Sequence, residues 1–305
     1  MDHDRLFKEL LRTFFFEFLE LFFPALTGCI DRCQAPIFLD KESFGQSKRR
    51  REVDLVVRLK MNGQETHFLV HVEHQAQARG GFPGRMHRYF SRLLERYGHP
   101  VYPIALFSFD RPLTKQPDRY QMTVAGRRVL DFRYAALQLN RMNWCHFARQ
   151  ANPVASALMA RMNIAPRERA RVKLQCLRLL ATLALDRKKS HLISDFVDSY
   201  LQLDPAEVRI FKRSLEKLPQ DERQEIMQIT NSWKEEGRIE GLAEGRSKGR
   251  NEGLVEGLLE GLETALELKF GPPARPLILR MQNYSLDALQ ELRRKLLDGA
   301  QLDEL

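Results

Sequence analysis

Two strand-like runs constrain this chain more than any other feature. Residues 53–59 read VDLVVRL and residues 66–75 read THFLVHVEHQ, with Asn62-Gly63 between them. β-Branched and apolar residues dominate both runs, and Asn-Gly between such runs is a strong hairpin signal. Side chains alternate faces along a strand, so His71, Glu73 and Gln75 share one face, and Phe68, Val70, Val72 and His74 the other. Asp54 sits near the start of the first strand, and the turn sets the two strands side by side. Two carboxylates at the end of a buried hairpin repel each other and lose solvation. A hard divalent cation resolves that cost, and Mg2+ (or Mn2+) takes one or two carboxylates plus waters and phosphate oxygens. Asp54 and Glu73 are therefore the candidate metal ligands, and Asp54, Glu73 and Gln75 the candidate catalytic set. Either acid also fits a simple surface position at a strand end. His71 and His74 fit satisfied or exposed histidines as well as ligands.

The rest of the front half reads as strands and helices in alternation. Leu6, Leu10, Phe14, Phe18 and Leu21 recur at helical spacing, which predicts a first helix from about 4 to 23, closed by Pro24. An Arg-rich helix is expected over 83–97, a buried strand over 101–109 and a last strand over 132–139. On the first helix Asp4, Lys8 and Glu9 lie close enough to supply a supporting group to the site, or to serve only as a solvated face. Arg85 and Tyr89, four residues apart, suit contact with a phosphate or an ordinary helix surface. From 153 to 230 the pattern is helical. The spans expected are 1–150 for the α/β domain, 151–230 for a helical region, 231–264 for a repeat segment and 265–305 for a small helical domain.

Charge follows this division. Residues 1–150 carry 24 Lys and Arg against 16 Asp and Glu, whereas 231–305 carry 11 against 14. The positive potential that would attract a polyanion such as DNA belongs to the front of the chain. The Leu- and Phe-rich stretch over 10–27 is broken by Glu17 and Glu20, so a buried amphipathic helix is expected there. Neither a signal peptide nor a membrane span is expected, and the cytoplasm is the expected location. Four cysteines at scattered positions suit buried free thiols in a reducing compartment better than disulfides or a zinc site.

Behind residue 235 glycine falls at every fourth position: 237, 241, 245, 249, 253, 257 and 261. Four residues of α-helix turn through ~400°, so these glycines trace a slanted stripe. Each costs roughly 1 kcal/mol of helix stability against Ala. Such a stripe has a use if a second helix approaches closely, and the same segment of another chain is one partner. A homo-oligomer through 235–264 is expected on that reading, and a partly helical linker on the other.

Asp54 followed by Glu73-His74-Gln75 resembles the two acidic motifs of the PD-(D/E)XK nuclease superfamily, with Gln75 where the family usually has Lys. The Glu-x-Gln form is similar to that of the recombination-promoting nuclease (Rpn) and transposase-like family. The opening HDRLFKELL at 3–11, VEHQ at 72–75, RMHRYF at 85–90 and Pro103-Ile104 resemble that family's motifs in order and spacing. The Glu-Gly tail is common there, and the closing segment is similar to a small C-terminal domain frequent in cyanobacterial members. The resemblance implies a restriction-endonuclease-like mixed sheet flanked by helices, one Mg2+-dependent active site per subunit, and DNA cleavage linked to recombination. It leaves transition-state stabilisation by the missing Lys unaccounted for. A nuclease fold of weak or no activity, acting as a DNA-binding or oligomerising scaffold, is the alternative. No transposase triad of carboxylates can be placed in the chain.

Overall fold

The computed structural model describes residues 3–39, 43–44, 51–52, 55–282 and 284–302 of the 305. They form two compact units, Met1–Thr230 and Asn231–Leu305. The first is α/β and opens with α1 (His3–Thr13), α2 (Phe15–Phe22) and the single turn α3 (Pro24–Thr27). The predicted continuous helix is distorted at Phe14, where φ is −120° and ψ 44°. Adjacent residues of a regular helix point 100° apart. The distortion lets Phe14 and Phe15 both reach the core, together with Phe7, Leu10, Leu11 and Phe18.

The central sheet has five strands in the order β1-β4-β5-β6-β9. They are β1 (Ile37–Leu39), β4 (Leu55–Lys60), β5 (His67–Gln75), β6 (Val101–Phe107) and β9 (Ala135–Gln138). Two-residue strands β2 (Ser43–Phe44) and β3 (Arg51–Glu52) pair with each other. β1, β4 and β5 are antiparallel, while β5–β6 and β6–β9 are parallel. The sheet is therefore mixed. The parallel β5–β6 step requires a crossover, supplied by α4 (Phe82–Tyr97), which ends on Gly98 at positive φ. Lys60 pairs with His67, so the hairpin turn spans six residues rather than the two of a tight Asn-Gly turn, with Gly63 at φ 70°.

β7 (Arg119–Val124) and β8 (Arg127–Arg133) form a separate antiparallel ribbon. The strand expected over 132–139 joins the end of β8 to β9, and the ribbon has no counterpart in the sequence reading.

Helices cover both faces of the sheet. α4 lies on the face of Leu69, where Val56, Leu69, Tyr89 and Leu93 form one cluster. Met86 and Phe82 meet Ala105 and Phe107 of β6 in another. The opposite face carries His74, whose ring stacks on Phe7 of α1 at 3.9 Å, and Phe7 meets Phe196 at 4.8 Å. Phe196 belongs to a helical block of α5 (Pro153–Leu158), α6 (Arg169–Thr182), α7 (Arg187–Tyr200) and α8 (Pro205–Glu216). Asn152 ties that block to the first helices. Its Oδ1 caps α5 by accepting from Val154 and Ala155, and its Nδ2 donates to the Glu17 carbonyl. Asp186 and Asp204 cap α7 and α8 in the same manner, so polar residues at 152, 186 and 204 set where the helices begin.

The second unit contains the C-terminal part of α9 (Gln220–Phe270), with α10 (Arg275–Met281) and α11 (Leu286–Leu297). Leu262, Leu266, Leu277, Met281, Leu289 and Leu292 are among its buried core. The repeat lies within α9. Around Gly249, Gly253, Gly257 and Gly261 a Cβ would meet nothing within 4 Å, so no second helix of the described residues fills the stripe. Three of these glycines instead floor a groove of about 580 Å³ walled by Leu254, Leu258 and α11. Gly237, Gly241 and Gly245 lie where side-chain surroundings are not described.

All four cysteines are free, but only Cys176 is buried, which corrects the expectation of buried thiols. Cys29 and Cys33 lie exposed after α3, and Cys145 is exposed in the short 3-10 helix Trp144–His146. Burial pushes the Cys176 thiol up to about 12, because thiolate in an apolar interior lacks solvation. We expect Ellman's reagent to titrate three thiols in the native protein and the fourth only on unfolding. Rapid native labelling of four would contradict this packing.

Candidate functional site

The site is built on β5, the middle strand of five. It is hydrogen-bonded on both sides, to β4 and β6, and every residue from Phe68 to Gln75 is buried. A carboxylate here is costly unless paired. Glu73 is nonetheless only 5% exposed. The alternation read from the sequence places His71 and Gln75 on its face, and α4 covers them.

Two basic side chains approach Glu73. Arg85 Nε lies 3.6 Å from Oε1, and His71 Nε2 lies 3.6 Å from Oε2. Both distances exceed a hydrogen bond, which needs roughly 2.7–3.2 Å, so the Arg85 attraction is Coulombic alone. Oε2 of Glu73 and both ring nitrogens of His71 are buried without a hydrogen-bond partner among the described residues. Unsatisfied buried polar atoms are rare, and three of them collect here.

Arg85 joins the cluster at a second point. Its Nη2 donates to Oε1 of Gln75. Arginine can only donate, so the amide atom facing it is the oxygen, and the Gln75 amide nitrogen is left to donate elsewhere. The guanidinium also lies over the Phe82 ring at 5.0 Å, which holds it flat at the start of α4. One turn on, buried Tyr89 sets its ring edge-on to His71, 5.8 Å between centroids at 83°. Arg85 and Tyr89 thus face the sheet rather than forming a surface pair, and the structure brings Glu73, Gln75, His71, Arg85 and Tyr89 together.

Asp54 lies outside the described residues, as does the side chain of Asp4. Glu9 is exposed and Lys8 half-buried on α1, the helix whose Phe7 packs on the opposite face of β5. His74 faces that same opposite side. There its Nε2 makes a 2.7 Å hydrogen bond with Ser108 Oγ, away from Glu73.

Sequence reasoning missed the polar group behind this pair. Arg161 donates through Nε to the Ser108 carbonyl at 3.0 Å and through Nη1 to Asp110 at 2.9 Å, and lies 4.9 Å from the Tyr200 ring centroid. It pins the end of β6 to the helical block. Fifty-three residues separate Arg161 from Ser108, and no local signal links them.

The donor set suits a hard cation. Oε2 of Glu73 is a buried, unpartnered carboxylate oxygen, the ligand type that Mg2+ and Mn2+ prefer. Among the described residues no group of three His, Cys, Asp or Glu is assembled, so Glu73 is the one described carboxylate of the cluster. Asp54 is joined directly to Leu55, and Leu55 pairs with Val72, the residue before Glu73. No family model matches the chain, and no curated protein or solved structure matches it either.

Removing Arg85 leaves Glu73 buried beside a single histidine. We expect Arg85→Met to lower unfolding free energy by about 1–3 kcal/mol, and the added Glu73→Gln to recover part of the loss. Chemical denaturation of both singles and the double measures the coupling. Additive losses would show that the 3.6 Å approach has no energetic consequence.

Proposed function

We propose that the first unit is a divalent-cation-dependent DNA endonuclease with a restriction-endonuclease-like core. The single observation that carries the reading is the buried Glu73 carboxylate. One of its oxygens lacks a partner, and it lies beside a Gln75 amide held by Arg85. The α-β-β-β-α-β order around β4, β5, α4 and β6 supports it, as does the net positive charge of residues 1–150.

In this reading Glu73 and Asp54 hold Mg2+ or Mn2+. The cation, when bound, neutralises charge on the scissile phosphate and makes water a better nucleophile. The chain's own residues do the rest. Gln75 donates from its amide nitrogen to a phosphate or water oxygen, because its carbonyl oxygen is occupied by Arg85. Arg85 supplies the positive charge that a Lys at position 75 would bring. A lysine at position 75 would meet the Arg85 guanidinium, and we expect Gln75→Lys to lower activity. Buried Tyr89 and Phe82 keep Arg85 and His71 in place and exclude water from the α4 side of the cluster.

One observation favours the scaffold alternative. Arg85 offsets part of the Glu73 charge from 3.6 Å. The open groove of the second unit gives that alternative a surface for homo-oligomer assembly.

Incubating the full chain with supercoiled plasmid separates these readings. Nicking is expected with Mg2+ or Mn2+ and none with EDTA. Asp54→Ala and Glu73→Ala should abolish it, and Gln75→Ala should slow it by about 10²-fold, the scale for losing one preorganised donor. Nicking that survives EDTA, or that both acid variants retain, would overturn the proposal. Failure to nick with either cation would leave the scaffold.

A further inference from the structure

The β7–β8 ribbon lies outside the five-stranded sheet, and the catalytic reading gives it no role. Its root docks on α4. Tyr120 and Phe132 are a cross-strand pair, and both rings lie 5.4 Å from His87, while Phe132 also meets Phe90 at 4.9 Å. The Tyr120 ring also lies over Gly84 at the start of α4. The ribbon is therefore fixed to the same helix that sends Arg85 to Glu73.

Its outer end is chemically distinct from the root. Ala125 and Gly126 form a two-residue turn with φ 49° and 76°, the tight turn that keeps two strands twisted together. Around it Met122 is 42% exposed, Val124 61% and Val129 53%, with Val129 set out by a bulge between paired positions. Residues 119–133 contain four arginines against one aspartate. That aspartate, Asp131, lies 3.5 Å from Arg128. Among the described residues Arg127 has no carboxylate partner.

We infer that this ribbon is a DNA-binding arm that enters a groove of duplex DNA beside the cleavage site. A two-stranded ribbon matches the width of the major groove. Arginines flanking the turn meet phosphates, and exposed valines touch base edges or thymine methyl groups. Charge selects the occupant: the tip is apolar and cationic together, which suits a polyanion with apolar groove contacts better than an ordinary protein surface. The inference rests on the endonuclease reading for its choice of DNA, but not for its test.

Binding of a short fluorescent duplex to the full chain is measured by anisotropy in EDTA, across a range of salt. Without cation no cleavage enters the result, so the arm and the nuclease chemistry stand or fall separately. Arg127→Ala with Arg128→Ala should weaken binding roughly tenfold and reduce the salt slope by about 2. Arg127→Lys with Arg128→Lys should restore most of the slope. Val124→Ser with Val129→Ser should weaken binding and leave the slope unchanged. All four positions are exposed, and thermal melting confirms folding of each variant. Parental affinity and slope in the double Ala variant would overturn the arm. So would a change in sedimentation with no change in DNA binding, which would make the ribbon a protein interface.

Discussion

A carboxylate inside a sheet is the constraint around which the first unit is organised. Glu73 sits on the central strand, hydrogen-bonded on both flanks and roofed by α4, where an uncompensated charge costs several kcal/mol even after relaxation. Arg85 offsets part of that cost from 3.6 Å, without closing a hydrogen bond to it, and the His71 ring lies at the same distance from the other oxygen. An apolar residue at 73 would be easier to bury, and the Glu73 Oε2 without a hydrogen-bond partner is the observation from which the proposed cation site starts.

The neighbouring architecture follows from holding that charge in place. α4 has to bring Arg85 to the sheet, and it does so by starting at Gly81 in the left-handed region and laying Phe82, Met86, Tyr89 and Leu93 along its buried face. The opposite side of β5 is closed by different means. His74 is stacked on Phe7 and bonded to Ser108, and Arg161 clamps that end of the neighbouring strand β6 to the helical block. β5 is thus fixed from both faces, leaving the Glu73–Gln75 edge as the place where unsatisfied polar atoms collect. The ribbon on the outer side of α4 is attached to this frame through Tyr120 and Phe132, so a ligand gripped by the ribbon would be positioned relative to Arg85.

Much of the site could be read from two-residue periodicity. That Glu73, His71 and Gln75 share a face, with His74 on the other, follows from strand alternation alone, and the observed contacts agree. The mixed α/β architecture and the crossover helix were legible from apolar runs separated by Asn-Gly, Pro and Gly. What was not legible depends on distance in the chain. Arg85 is ten residues from Gln75, and only the βα crossover shows that its guanidinium returns to the strand. The ribbon escaped because its strands carry exposed arginines and valines without a clear apolar face. Its turn also begins with Ala125, a residue type that seldom adopts positive φ. The distorted first helix depends on core packing of adjacent phenylalanines, which a periodic pattern does not encode.

Whether Glu73 is a cation ligand can be read without DNA or catalysis. Titrating Mn2+ into the full chain, with free ion followed by electron paramagnetic resonance, counts bound metal directly. We expect a bound Mn2+ that Mg2+ displaces and that Glu73→Gln weakens at least tenfold, with the variant still folded. Equal Mn2+ binding in parent and variant, or none in either, would contradict it.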